Sequence, residues 1–366
     1  MTDTHPLIRL AEEFGQSPWL DNLRRSYLTS GELAAMRDRG VRGLTSNPTI
    51  FQKAMTATNA YQSDFQRLIA DGGSTLDAYW ELVIADIEAA TELLAPIHAE
   101  SGGEDGFVSV EVAPSLARDT EGTIAAARDL RGRIVAPNLY VKIPATAEGI
   151  PAITTMIAEG CSVNVTLIFG IERYAEVIDA YLTGLEQRDG DLSDVSSVAS
   201  FFISRVDTEV DRRLETIGTD QALALRGQAA VAQARAAYGL AVERFSGRRW
   251  EALVERGARP QRPLWASTST KNPDYPDTLY VDELIGPGTV NTMPEATLAA
   301  FEDHGTLERR IDLDDGGATL DRLSAAGVDM ADVAAVLEAE GVSAFEASFD
   351  DLVTTLDASA AAAQPT

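Results

Sequence analysis

Short apolar runs alternate with longer amphipathic stretches along this chain. The runs SPWLDNL (17–23), VRGLTS (41–46), FVSVEV (107–112), NLYVKI (138–143), CSVNVTLIF (161–169), VASFFI (198–203), RPLWAST (262–268) and GTVNTM (288–293) read as eight strands. Several are apolar almost without interruption, the pattern of parallel strands covered on both faces. Between them, segments such as TIAAARDLRGRI (123–134), EGIPAITTMIAEG (148–160), IERYAEVIDAYLTGLEQR (171–188) and RVDTEVDRRLETI (205–217) space their apolar residues at helical intervals. Eight such alternations predict an α/β fold, a closed (β/α)8 TIM barrel with extra helices. The rival is an open doubly wound sheet, which usually carries a G-x-G-x-x-G turn; none is present.

Two stretches exceed one barrel unit. Residues 50–106 hold about two additional helices, YQSDFQRLIA and TLDAYWELVIADIEAATELLAPI. Residues 294–360 hold a helical tail expected to pack on the outside of the barrel, and 357–366 read as a frayed end. With no internal repeat and no linker, residues 1–366 read as a single domain.

Composition narrows the function. The chain has 366 residues, is 45% hydrophobic and carries a formal charge of −27. So acidic a surface repels nucleic acid and anionic membranes, so neither is expected as a partner. A charged N-terminal segment without an apolar core, and no run of about eighteen apolar residues, point to a cytoplasmic protein. The single cysteine, Cys161, excludes an intrachain disulfide and fits a reducing compartment; a buried, inert thiol is its default reading. His5, His98 and His304 are scattered, so no metal site is expected. Of 30 basic residues only three are lysines, Lys53, Lys142 and Lys271. Where arginine supplies nearly every cation, a lysine invites the question of whether its amine chemistry is needed.

Catalytic side chains of such barrels project from the C-terminal ends of strands. Polar residues there that an apolar strand would not favour are Asp21, Thr45, Ser46, Asn47, Glu111, Lys142, Asn164, Thr166, Ser200 and the stretch from Ser267 to Lys271. Lys142 lies between Val141 and Ile143. Burial disfavours an ammonium and raises the neutral fraction that attacks a ketone; a salt-bridged structural lysine fits the same context. Glu111 ends the preceding strand, within reach of that amine, as a proton shuttle or as its ion-pair partner. Asp21 is either an acid/base group at the same mouth or a solvated strand-end carboxylate. In TSNPTIF (45–51), Pro48 suits a first helical turn, and Ser46 or Asn47 could cap that helix. Asn164 and Thr166 alternate onto one face of their strand, which implies a polar face inside the barrel. Arg205 and Lys271 are the candidates for phosphate.

GVRGLTSNPTIF and LYVKIPATAEGIPAI resemble the two signatures of the transaldolase family, and the blocks RPLWAST, TKNP and VNTMP resemble its long bacterial branch. The resemblance runs from about Asp21 to Met293. It implies Lys142 as the Schiff-base residue, Glu111 as proton shuttle through a water held by Thr166, and Asp21 as acid/base for C–C cleavage. It further implies that Asn47, Asn164 and Ser200 hold donor hydroxyls and that Arg205 binds phosphate. Where the better-studied branch has Ser-x-Arg, this chain reads Ser269-Thr270-Lys271. Lys271 then replaces the phosphate arginine without its bidentate fork, and either Ser267 or Ser269 is the matching serine.

The implied reaction is in the non-oxidative pentose phosphate pathway. A dihydroxyacetone unit passes from sedoheptulose 7-phosphate to glyceraldehyde 3-phosphate, giving erythrose 4-phosphate and fructose 6-phosphate. No cofactor is required, because the protonated imine is the electron sink. The partners are then small sugar phosphates, with the protein a monomer or homodimer. The nearest alternative is a fructose-6-phosphate-type Schiff-base aldolase. Those chains are shorter and place glutamine at Glu111 and tyrosine at Phe202. A non-catalytic barrel that only binds is a third reading.

Overall fold

The computed structural model of the protein describes residues 5–363, with side chains through 361. Eight parallel strands close into a barrel in chain order. They are β1 (Gln16–Leu20), β2 (Leu44–Thr45), β3 (Val108–Glu111), β4 (Leu139–Pro144), β5 (Val163–Ile168), β6 (Ser197–Phe202), β7 (Arg262–Ala266) and β8 (Thr289–Met293). Each expected run thus overlaps one strand, with β1, β4 and β6 reaching one residue beyond theirs. Apart from the first residue of β7 every strand position is buried, because helices cover the outside and side chains fill the inside.

The register carries the consequence for the site. On β3 and β4, Glu111 is paired with Lys142, and across β4 and β5 Lys142 is paired with Asn164. Strand alternation then sends Glu111, Lys142 and Asn164 to the same side, the barrel interior. The interior near the strand starts is plugged by aromatic rings. Phe107 stacks on Tyr140 with centroids 4.0 Å apart, and Trp19 donates to Asp105 at 2.8 Å.

β2 is only two residues long where six were expected. Gly43 explains the shortening: a Cβ there would stand 2.5 Å from the Trp19 indole, so the chain hugs β1 and bends before pairing. The insertion forms three helices, Pro48–Ala57, Gln62–Ala70 and the long Thr75–Glu100. The last begins with a reciprocal cap, the Ser74 hydroxyl accepting from the Asp77 N–H while the Asp77 carboxylate accepts from the Ser74 N–H.

The tail departs from expectation in two ways. Its final helix, Met330–Ala363, does not lie on the barrel's flank but crosses the mouth at the C-terminal strand ends. Phe345 reaches into the mouth, Ser348 accepts from Thr49, and Glu338 and Asp332 pair with Arg173 and Arg213 of the helices after β5 and β6. Gly341 gives the close approach, since a Cβ there would sit 3.1 Å from Leu167 at the end of β5. Second, residues 357–363 continue this helix instead of fraying. Alanine is the strongest helix former, and Leu356 and Ala360 are buried. Residues 364–366 of that expectation lie outside the described residues.

Candidate active site

At the mouth the fold gathers groups that lie far apart in the chain. A cavity of about 120 Å³ is lined by Asp21, Thr45, Asn47, Lys142, Thr166, Ser200, Arg205, Ser267, Ser269 and Lys271, all singled out from the sequence. Glu111 and Asn164 do not line it. Glu111 stands directly behind the amine, and Asn164 lies one layer deeper.

Lys142 Nζ donates to the carbonyl of Ser46 at 3.1 Å and lies 3.1 Å from Glu111 Oε2, with side-chain exposures of 5% and 3% for the pair. The approach to Glu111 is off the axis of a hydrogen bond and leaves Oε2 without a hydrogen-bond partner. Burial pushes the Glu111 carboxyl above its ordinary value; the Lys142 charge opposes this and Asp21 adds to it. A carboxylate so placed holds a proton more readily than one in water, which suits a group that must give and take one near a buried amine.

Asp21 follows β1 and accepts from Thr45 Oγ1 at 2.7 Å, while Thr45 also meets Thr292 Oγ1 at 2.7 Å. Burial raises the Asp21 carboxyl; Lys142, the Thr45 hydroxyl, Lys271 and Arg205 hold it back, in that order. Asp21 is thus tied to the Thr45 hydroxyl, whereas Glu111 meets the amine itself.

Below the amine, Asn164 donates to Ser109 Oγ at 3.0 Å and accepts from Ser200 Oγ at 2.7 Å. Its amide is engaged across the barrel and acts from beneath through Ser200. Thr166 Oγ1 lines the cavity and has no hydrogen-bond partner, although it is buried. Such atoms are uncommon in folded proteins. Asn47 settles the capping alternative: its Oδ1 accepts from the Ile50 N–H at 2.9 Å, while the Ser46 hydroxyl donates to the Ser109 carbonyl at 2.7 Å.

Two cations stand at the rim. Arg205, just after β6, has no carboxylate within ion-pair distance among the described residues; its guanidinium lies 5.4 Å from the Phe202 ring. Lys271 donates to Ser269 Oγ at 2.6 Å. Burial lowers the pKa of both, and for Lys271 the neighbouring charges of Arg205 and Lys53 lower it further. Glu340 and Asp21 are the negative charges that act on Arg205, neither within ion-pair distance. All three lysines of the sequence therefore belong to this end of the barrel.

Two non-glycine residues here have positive φ: Leu167 at 60°, where β5 is bulged, and Ser267 at 56°, just after β7. Strain of this kind costs roughly 1–3 kcal/mol per residue and collects at functional sites. Sequence reading did not single out Thr292 and Phe345 as site residues. Thr292 was hidden in a strand run, and Phe345 comes from a helix with no local sign of facing a cavity.

A larger cleft of about 650 Å³ opens at the opposite, strand-start end, lined by Phe107, Arg131, Cys161 and Arg259. Its thiol is not activated, since burial pushes Cys161 up to about 12. No group of residues suited to a metal ion occurs among the described residues, and no helix there is long and apolar enough to cross a membrane.

The chain is similar to known proteins along most of its length. The profile of the Transaldolase/Fructose-6-phosphate aldolase family matches residues 18–356. A protein of Parafrankia sp. (strain EAN1pec) named transaldolase is 53% identical over 349 residues, 93% of this chain and 95% of its own. One of Thermobifida fusca (strain YX), also so named, is 52% identical over 355 residues, covering 95% and 96%. A third, of Mycobacterium bovis (strain BCG / Pasteur 1173P2), is 50% identical over 361 residues, covering 96% and 97%. Identity at this level, sustained from end to end on a barrel whose mouth holds a buried lysine–carboxylate pair, places the chain in the transaldolase/fructose-6-phosphate aldolase family.

Proposed function

We propose that the chain is a transaldolase acting through a Schiff base on Lys142. The observation that carries the reading is the buried contact between Lys142 Nζ and Glu111 Oε2 at 3.1 Å, with Asp21 lining the same cavity as the amine. The neutral amine attacks the C2 carbonyl of a ketose phosphate. Glu111, assisted by a water held at Thr166, moves the proton that lets the carbinolamine lose hydroxide as water. Asp21 takes the proton of the C4 hydroxyl, the C3–C4 bond breaks, and its electrons pass into the protonated imine. The aldose phosphate leaves, and the three-carbon enamine stays on Lys142. An incoming aldehyde accepts the enamine carbon and Asp21 returns the proton to the new alkoxide. Hydrolysis of the imine then frees the product ketose. Sedoheptulose 7-phosphate and glyceraldehyde 3-phosphate are the assigned donor and acceptor, in the non-oxidative pentose phosphate pathway.

Arg205 and Lys271, with Ser269, are assigned to the substrate phosphate, and Asn47 and Ser200 to the donor hydroxyls, with Asn164 orienting Ser200. We place the reaction in the cytoplasm, carried out by a monomer or homodimer on a single domain. The mouth favours transfer over simple aldol cleavage. Phe202 offers no hydroxyl to protonate the enamine, and the tail helix with Phe345 limits the entry of water.

The test is borohydride reduction in the presence of fructose 6-phosphate, followed by peptide mass mapping. A three-carbon adduct on Lys142 is expected. An unlabelled Lys142, or an adduct on Lys271 or Lys53, would overturn the reading.

A further inference from the structure

The mechanism leaves the phenol of Tyr79 unused. Tyr79 lies on the inserted helix Thr75–Glu100, 3% exposed, with its ring edge-on to Phe349 of the tail helix at 5.5 Å. Its phenol makes no hydrogen bond to any described residue. Tyr79 and Glu111 line the same small cavity, together with Phe51, Val83, Val110 and Phe349. Its volume of about 10 Å³ is close to what one water molecule needs. Glu111 borders the same cavity; its Oε2 meets Lys142 Nζ at 3.1 Å, and neither of its oxygens has a hydrogen-bond partner among the described residues. Burial and the nearby Glu111 charge keep the phenol protonated, so it can act as a donor.

We propose that Tyr79 is a positioning residue for the proton shuttle: through a single bridging water, its phenol donates to the Glu111 carboxylate from the side opposite Lys142. The inference rests on Glu111 being the shuttle. The other charged groups facing Glu111 are Lys142 from β4 and Asp21 from β1. The helix after β2 and the tail helix contribute Phe51 and Phe349, which do not titrate. A donor bonded to a carboxylate favours its ionised form. Tyr79 thus opposes the upward push of burial and keeps Glu111 able to accept the proton that imine formation releases. It also fixes the orientation of the carboxylate.

The test is a carbon-13 NMR titration of the Glu111 carboxyl in the full-length protein, assigned by difference from Glu111→Gln. Tyr79→Phe, which removes only the hydroxyl, is expected to raise the Glu111 midpoint by about half a pH unit or more. It should also slow borohydride trapping at Lys142 severalfold. Site-specific 3-fluorotyrosine at position 79, a more acidic donor of nearly the same shape, is expected to lower the midpoint, a sign reversal that a packing role would not produce. In a Glu111→Gln background, Tyr79→Phe should leave the trapping rate unchanged. A Glu111 midpoint that neither substitution moves would refute the inference, even with Lys142 labelled normally. Absence of label at Lys142 would instead remove the shuttle reading itself, whatever the titration shows.

Discussion

Glu111 and Lys142 are register partners on adjacent strands, and their charged ends meet 3.1 Å apart in the interior of the barrel. The pairing gives each group an environment that neither would have alone. Desolvation pushes the carboxyl up while the ammonium pulls it down, and the net upward push lets the carboxyl take up a proton more readily than one in water.

The first prediction concerns that proton. Glu111→Gln keeps the shape but cannot carry it. Imine formation should slow by about 10²- to 10⁴-fold, the usual contribution of a positioned acid/base group. The check is single-turnover trapping with borohydride. An unchanged trapping rate would mean that Glu111 only balances charge.

At the rim, Arg205→Ala should weaken phosphate binding. Hydrogen bonds to charged groups contribute about 1.5–3 kcal/mol, so KM for sugar phosphates should rise about ten- to hundredfold. Turnover of unphosphorylated dihydroxyacetone donors should barely change. Lys271→Arg should lower KM for the phosphorylated substrates, because the guanidinium fork binds phosphate through two bonds. Steady-state kinetics with both substrate types separates these outcomes. Equal loss with and without phosphate would assign Arg205 to scaffolding.

Phe345 brings the tail helix into the cavity and is 6% exposed. Phe345→Ala should cost about 3 kcal/mol in urea unfolding. It should also admit water to the enamine, so that free dihydroxyacetone appears severalfold faster when no acceptor is added. A stability loss without added release would make the helix a brace and not a cover.

The fourth prediction is a pH dependence. Glu209 accepts from Arg212 and Arg213, and Arg213 also holds Asp332 near the start of the tail helix. Chiefly through the Arg212 bonds, the Glu209 carboxyl is pulled down to about 2, burial opposing. The folded value lies below the unfolded one of roughly 4.3. The resulting stability is present above about pH 4.3 and is lost as pH falls through about 2. Glu209→Gln should therefore cost about 1 kcal/mol at pH 7, a figure held low because the Arg212 side chain is 65% exposed. The cost should vanish near pH 2. Urea unfolding across that range gives the measurement, and a constant difference would exclude this origin.

Lys142, Glu111, Asp21 and Arg205 were legible because each is a polar residue where an apolar strand ends, and alternation with helices says that such ends share one mouth. The limit of that rule appears at Asn164. It satisfies the pattern, yet Ser109 and Ser200 take up its amide below the cavity. Only the stagger of the closed barrel decides which layer a strand position occupies. The tail shows a second limit. Its helix was evident from its residues, but its course over the mouth was not, because its contacts are with Thr49, Arg173 and Arg213, far back in the chain.

By itself, then, the sequence determined the number and order of the strands, the polar residues at their ends and the single lysine set within an apolar strand. These are local matters of apolar periodicity and of one amine in an apolar strand. Tertiary structure decided the rest: that Glu111 Oε2 meets the amine, that Tyr79 shares a cavity with Glu111, and that Phe345 lines the mouth. Those relationships join segments that touch only when the barrel has closed and the helices have packed, so no window of neighbouring residues can hold them.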